Sequence, residues 1–135
     1  MQKKTLIIGG NRGIGSVINQ VFLDRGDIVY NASRSESSEL NHFTINLPDK
    51  INIDKSIKLN YLIFAHRYRK EDWDEDFNIT VKGVERTIAM LKDSFLDEAS
   101  IVVLGSVAGH FIFEEQSASY HATRAALEGL NRYYA

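Results

Sequence analysis

Three glycines near the start of the chain constrain its fold more than any other feature. Gly9, Gly13 and Gly15 directly follow the short apolar segment Thr5–Ile8. The apolar residues after them recur at intervals of three and four, as in one face of a helix: Ile14, Val17, Ile18, Val21 and Phe22. We therefore predict a buried strand, a tight glycine turn and a helix with one apolar face, which ends at Gly26.

Strand and helix patterns alternate along the rest of the chain. Further strands are predicted at Ile28–Ala32, His42–Leu47, Tyr61–Ala65 and Ile101–Leu104. A short helical crossover is expected over residues 49–58, and a last helix from about Ala118. The longest helical stripe is Trp73, Phe77, Val81, Val84, Ile88, Leu91 and Phe95. Successive strand–helix units predict an α/β fold, a doubly wound, Rossmann-like parallel sheet of five strands in a single domain of residues 1–135.

Composition excludes several classes of protein. The 135 residues include no cysteine, which rules out a disulfide framework, and the four histidines are scattered, so no metal site is expected. A net charge of −2 argues against a nucleic-acid partner. The longest apolar stretch, Tyr61–Ala65, is far too short to span a membrane, and the basic start lacks a signal-length apolar segment. We expect a cytoplasmic location.

The glycine turn suggests a phosphate-binding site. Glycines between a strand and a helix let the backbone approach a pyrophosphate, and the helix N-terminus supplies free N–H groups. The spacing of Gly9, Gly13 and Gly15 differs from the G-x-G-x-x-G dinucleotide fingerprint. The alternative interpretation is a tight turn that binds no ligand.

The residues after the second strand suggest which dinucleotide would bind. An acidic residue there would hold a ribose 2′-hydroxyl, but this chain has Ser33 and Arg34, with Arg12 inside the glycine turn as a second cation. Two guanidinium groups and a hydroxyl suit a phosphate, which predicts NADP(H). The alternative is that both arginines are solvated surface charges.

Three motifs together resemble a known family. They are the turn Ile8–Gly15, the segment Leu104–Gly109 with Ser106 in it, and Tyr120 followed four residues later by Arg124. With these motifs in this order, the chain resembles the short-chain dehydrogenase/reductase family, classical type, over essentially its whole length. Arg124 stands where the family has lysine. The resemblance also implies that the C-terminal third of the family fold, including strands six and seven, would lie beyond Ala135.

The resemblance implies a set of cofactor-binding residues. Asn46 and Leu47 match the pair that faces the adenine. Ala65 is the one residue retained from the family's N-N-A-G segment, and His66 replaces its glycine beside the nicotinamide ribose. His66 would either crowd that site or be an ordinary loop histidine. The remaining cofactor residues implied are those of the glycine turn and the second strand: Gly9, Asn11, Arg12, Gly13, Ile14, Gly15, Ser33 and Arg34.

The resemblance also implies catalytic roles. Tyr120 would be the proton donor or acceptor, Ser106 would hold the substrate oxygen, and Asn78 would hold a water. Since an ordinary phenol titrates near pH 10, Tyr120 needs a neighbouring cation, and Arg124 lies one helical turn away. Arginine keeps the charge of the family's lysine but does not release a proton. The implied function is an NADP(H)-dependent oxidoreductase that transfers hydride between nicotinamide and a small carbonyl or alcohol.

Two other interpretations of the chain remain open. One is a dinucleotide-binding regulatory or supporting protein without turnover, which the eroded N-N-A-G segment and Arg124 suggest. The other is an incomplete copy of a longer reductase.

Family members pair the last two helices across a dimer interface, so a homodimer or tetramer is expected. The basic segment Arg67–Lys70 is interpreted as a solvated loop, because an acidic run follows it directly.

Overall fold

Five parallel strands form the centre of the molecule in the computed structural model, which describes residues 1–135. The strands are β1 (Lys4–Ile8), β2 (Ile28–Ser33), β3 (His42–Thr44), β4 (Leu59–Phe64) and β5 (Phe95–Val103). Their order in the sheet is β3-β2-β1-β4-β5, and every neighbouring pair is parallel. The predicted five-stranded α/β fold is confirmed.

Two of the helices begin at side chains that cap them. Asp72 accepts a hydrogen bond from the Glu75 amide, and Ser117 accepts one from the Tyr120 amide. The helices are α1 (Gly13–Asp24), α2 (Trp73–Asp76), a π-helical segment (Phe77–Lys82), α3 (Gly83–Met90) and α4 (Ala118–Tyr134), with 3₁₀ turns at Lys92–Ser94 and Val107–Gly109. None of them is long and apolar enough to cross a membrane.

Helices cover both faces of the sheet, as in a doubly wound fold. On one face, side chains of α3 and α4 pack on the strands in a cluster that includes Leu6, Phe64, Val84, Ile88 and Leu127. On the other face, α1 packs on a smaller cluster of three buried residues, Ile7, Val29 and Ile63. Because β2, β1 and β4 are parallel neighbours, their carboxyl ends lie together at one edge of the sheet.

Two predicted helical segments differ in the structure. Residues 49–58 form no helix, because the Asp54 side chain holds the Ser56 amide at 2.9 Å and closes a local turn instead. The long helix ends at Met90, and Phe95 belongs to β5, where it pairs with Leu59. Phe95 packs on the same core cluster as the α3 residues, so its helical spacing was misleading. The third strand is also shorter than predicted and ends at Thr44.

The apolar stripe of α1 does not face the core as a whole. Ile18 and Phe22 pack on the sheet, whereas Ile14, Val17 and Val21 are 68%, 64% and 60% exposed. The predicted helix itself is confirmed, and Gly26, at φ 91°, follows its last turn as expected.

Candidate active site

The glycine turn is closely packed on one side and open on the other. A Cβ on Gly15 would lie 2.0 Å from the Gly9 carbonyl oxygen, so a side chain is excluded there. Gly13, at φ +53°, has nothing within 4 Å of its Cβ position. The Asn11 side-chain amide donates a hydrogen bond of 2.8 Å to Ser33 Oγ. The structure thus brings the turn and the end of β2 together, and leaves space in front of Gly13.

A polar cavity of about 430 Å³ lies beside the ends of β2 and β3. Arg34 and Asn46, both predicted cofactor residues, line it together with Lys50, which the sequence did not single out. Lys50 reaches this position because its backbone pairs with Asn46 through two hydrogen bonds of 2.8 and 2.9 Å. No sequence pattern marks such a bridge. The cavity therefore has two cations in its wall.

Leu47 differs from its neighbour Asn46. Its side chain is 8% exposed and belongs to the main core cluster. A Cβ on Gly83 of α3 would lie 3.0 Å from Leu47 Cδ1, so the leucine fills the space that this glycine leaves. The structure places Leu47 in the core below the cavity, while Asn46 lines the cavity.

His66 links three parts of the site. Its backbone lies against Gly9, where a Cβ would come within 2.7 Å of the His66 Cα. Its ring donates from Nε2 to the Ile79 carbonyl oxygen at 3.1 Å, in the π-helical segment. Burial, together with the charge of Arg124, lowers the pKa of His66 to about 4. The ring is therefore neutral at pH 7, and its Nδ1 is a buried acceptor without a partner.

Tyr120 lies beside two guanidinium groups. The Arg124 Cζ is 4.7 Å from the centroid of the Tyr120 ring, as the spacing of one helical turn predicts. The Arg67 Cζ is 5.0 Å from the same centroid, although the sequence suggested only a solvated loop there. Arg124 is 5% exposed, and burial lowers its pKa against the opposing effects of Tyr120 and Asp76. Two cations therefore face one phenol.

Ser106 lies three residues after the end of β5. Its Oγ accepts a hydrogen bond of 3.1 Å from the Ala108 amide and so caps the 3₁₀ turn Val107–Gly109. Arg124 reaches the same segment, with Nη1 3.5 Å from the Leu104 carbonyl oxygen. This contact connects α4, which carries Tyr120, to the residues that lead into Ser106.

Asn78 lies half-buried in the π-helical segment and makes no side-chain hydrogen bond. The residues of this region that contact α4 are different ones. Asp76 is 2% exposed and accepts hydrogen bonds from Thr80 Oγ1 at 2.8 Å and Ser119 Oγ at 3.0 Å. The only sequence signal for Asp76 is its place in the acidic run that follows Arg67–Lys70.

A larger and more apolar cavity, of about 630 Å³, lies between the loop after Ser106 and α4. Phe111, Ile112 and Phe113 line it, and neither Ser106 nor Tyr120 does. His121 fixes this loop, because its Nε2 accepts from the Phe113 amide at 2.9 Å and its Nδ1 lies 2.8 Å from the Ser117 carbonyl oxygen. This cavity opens beside the candidate active site.

Comparison with protein families agrees with this arrangement. A short-chain dehydrogenase model described as enoyl-(acyl carrier protein) reductase matches residues 63–135, which is more than half of the chain. The chain belongs to the short-chain dehydrogenase/reductase family. The matched region contains β5, α4 and the last two residues of β4, and with them all four residues suggested for catalysis. A search of the curated proteins found no match.

Solved structures share the fold of this short-chain dehydrogenase/reductase. An oxidoreductase from Brucella ovis, in complex with a partially ordered NAD, superposes with a TM-score of 0.88 at 22% identity and covers 100% of this chain and 77% of its own. Aldohexose dehydrogenase from Thermoplasma acidophilum gives 0.84 at 20% identity, with 99% and 60% coverage. BdcA in complex with NADPH gives 0.75 at 22%, with 95% and 62%. The chain thus spans about three fifths of the last two structures.

Proposed function

We propose that the chain is an NADP(H)-dependent oxidoreductase that interconverts a carbonyl compound and an alcohol. The observation that carries the proposal is the position of the Arg124 guanidinium, 4.7 Å from the centre of the Tyr120 ring. A phenol handles protons near neutral pH only where positive charge stabilises its ionised form. Family membership adds weight, since Ser106 and Tyr120 occupy matching motif positions.

The residues of the site fit a dinucleotide. Gly13 leaves open space at the N-terminus of α1, where backbone N–H groups and the helix dipole favour phosphate. The buried Nδ1 of His66 and Nε of Arg124 lack partners, and they would accept from and donate to ribose hydroxyls. Gly13, Ile14 and Gly15 would hold the diphosphate, while Asn46 would face the adenine.

The polar cavity supports the choice of NADP(H) over NAD(H). Arg34 and Lys50 both line it, and their charges suit a 2′-phosphate better than a free hydroxyl. Among the related structures, BdcA holds NADPH and the Brucella protein holds NAD, so the family accommodates both dinucleotides. The two cations in this cavity favour the phosphorylated form for this chain.

The reaction follows from the groups around Tyr120. A reduced dinucleotide held by the glycine turn would supply the hydride that the carbonyl carbon receives. Ser106 would hold the carbonyl oxygen by a hydrogen bond, and Tyr120 would donate its hydroxyl proton to that oxygen. The products are an alcohol, the oxidised nicotinamide and a tyrosinate, which regains a proton from water. Arg124 would stabilise the tyrosinate charge without exchanging a proton itself.

Cofactor titrations test the preference. Arg34→Ala should weaken NADPH binding by about 1.5–3 kcal/mol, the value of one charge-assisted hydrogen bond, and leave NADH binding unchanged. Arg69→Ala, an exposed arginine away from the cavity, is the matched control. Equal weakening of both cofactors by Arg34→Ala would contradict the 2′-phosphate assignment.

A second candidate function is dinucleotide binding without turnover. The observation that favours it is Arg124 itself, because a buried guanidinium replaces an ammonium group that both binds ribose and passes a proton. Arg124→Lys separates the two functions. Activity that appears only in Arg124→Lys supports the binding protein, whereas activity in the natural chain supports the oxidoreductase.

A further inference from the structure

Arg67 is held in one place although it is exposed. Its Nη2 donates a hydrogen bond of 3.1 Å to Gln116 Oε1, and its guanidinium lies over the Tyr120 ring. The Gln116 contact comes from the loop before α4, and the Tyr120 contact comes from α4 itself. They fix the guanidinium at the mouth of the site, next to the phenol that would meet the substrate.

The positive charge at this position has no carboxylate partner. The three ion pairs of the structure involve Arg25, Arg86 and His110. Arg67 bonds to a neutral amide oxygen, and Arg124 reaches only a carbonyl oxygen at 3.5 Å. The Asp76 carboxylate accepts from Thr80 and Ser119 instead. The two guanidinium groups repel each other, and the charge of Arg67 is one cause of the lowered pKa of Arg124.

An exposed, fixed and unpaired guanidinium is suited to bind an anion. Its planar N–H groups match a carboxylate or phosphate in a two-point contact. Gln116 accepts from Arg67 through its oxygen, which leaves its amide N–H groups free to donate to the same anion. The cofactor phosphates would lie at the glycine turn and the Arg34 cavity, so the anion next to Tyr120 belongs to the other reactant.

We propose that Arg67 binds a carboxylate of the substrate, so that the chain acts on oxo acids rather than on neutral carbonyl compounds. This inference rests on the proposed oxidoreductase function. Arg67 would anchor the acidic end of the substrate, while the carbonyl oxygen meets Tyr120 and Ser106. Arg67 is a specificity-determining residue in this account.

Matched substrates test the proposal. Pyruvate and levulinate are compared with their methyl esters in steady-state assays with NADPH, for the natural chain and for Arg67→Gln. Arg67→Gln should lower kcat/KM at least tenfold for the acids and less than twofold for the esters. Arg69→Gln, an exposed arginine of the same loop, should leave all four values unchanged. Arg67→Lys should restore part of the preference for the acids.

Other outcomes overturn the proposal. Equal losses for acid and ester mean that Arg67 acts on Tyr120 or on the fold. An unchanged acid-to-ester ratio with weaker NADPH binding means that the anion is a cofactor phosphate. If no compound is reduced, the proposed oxidoreductase function fails. Calorimetric titration of levulinate into the NADPH-saturated protein then tests the anion site by itself. Levulinate that binds the natural chain at least tenfold more tightly than Arg67→Gln then supports the site, and equal binding overturns it.

Discussion

Ser119 donates a hydrogen bond of 3.0 Å to Asp76, and this buried bond joins α4 to the end of α2. Both residues are 2% exposed. Asp76 is also among the groups whose charge favours the protonated form of Arg124. The helix that carries Tyr120 and Arg124 is therefore anchored by a carboxylate outside the predicted motif residues.

Removing this anchor should destabilise the protein. Ser119→Ala should cost about 2 kcal/mol, the value of a hydrogen bond to a charged group. Asp76→Ala should cost about 3–5 kcal/mol, because it removes two buried hydrogen bonds to a charged group, those from Thr80 and Ser119. Urea unfolding measures both free energies. Asp74→Asn, an exposed acid of the same turn, is the control and should change stability by less than about 0.5 kcal/mol. An Asp76→Ala variant as stable as that control would contradict this account.

Acidification should destabilise the protein through His66. Its pKa is about 4 in the folded chain and about 6.5 for an ordinary histidine, so the unfolded chain binds a proton first as the pH falls. The contribution of the neutral His66 ring to the free energy of unfolding is fully present above about pH 6.5. It is lost progressively toward about pH 4, at about 1.4 kcal/mol per pH unit. His66→Gln removes this titration. The difference in unfolding free energy between the two proteins should therefore narrow across that range, and a constant difference would show that the ring titrates normally.

Two glycines of the turn should differ in their response to alanine. Gly15→Ala would place a Cβ 2.0 Å from the Gly9 carbonyl oxygen, and we expect a cost of at least about 3 kcal/mol. Gly13→Ala meets open space, so only its positive φ is strained, at about 1–2 kcal/mol. Thermal and urea unfolding distinguish them. A Gly13→Ala variant less stable than Gly15→Ala would contradict the packing of the turn.

The second cation of the polar cavity gives a separate prediction. Lys50→Gln should weaken binding of adenosine 2′,5′-bisphosphate about tenfold and leave 5′-AMP binding unchanged, because only the first ligand carries the 2′-phosphate. Lys55→Gln, exposed and outside the cavity, is the control. Calorimetric titration of the two fragments requires no catalysis. An identical effect on both ligands would remove Lys50 from the phosphate site.

Local patterns in the sequence predicted the frame of the fold. The strand, turn and helix from Lys4 to Asp24 were correct, because each of these elements has a signal within a few residues. Phe95 was assigned wrongly, since its spacing continued the helical stripe while its backbone pairs with Leu59. Such pairing depends on partners far along the chain.

The candidate site was predicted in its motif residues and missed in its supporting ones. Tyr120 and Arg124 are neighbours by helical spacing alone, and the structure places them together. Arg67 and Asp76 reach the same site from the end of β4 and from α2. Their charges looked like surface charge in the sequence, because only the tertiary arrangement brings them to α4.

A single-turnover assay tests the central claim most directly. Purified protein with bound NADPH is mixed with pyruvate or levulinate, and the loss of NADPH absorbance is followed in the natural chain and in Tyr120→Phe. The account predicts oxidation of NADPH by the natural chain at a rate at least about a hundredfold above that of Tyr120→Phe, with NADPH binding retained in both. Equal rates in the two proteins, with NADPH bound, would contradict it.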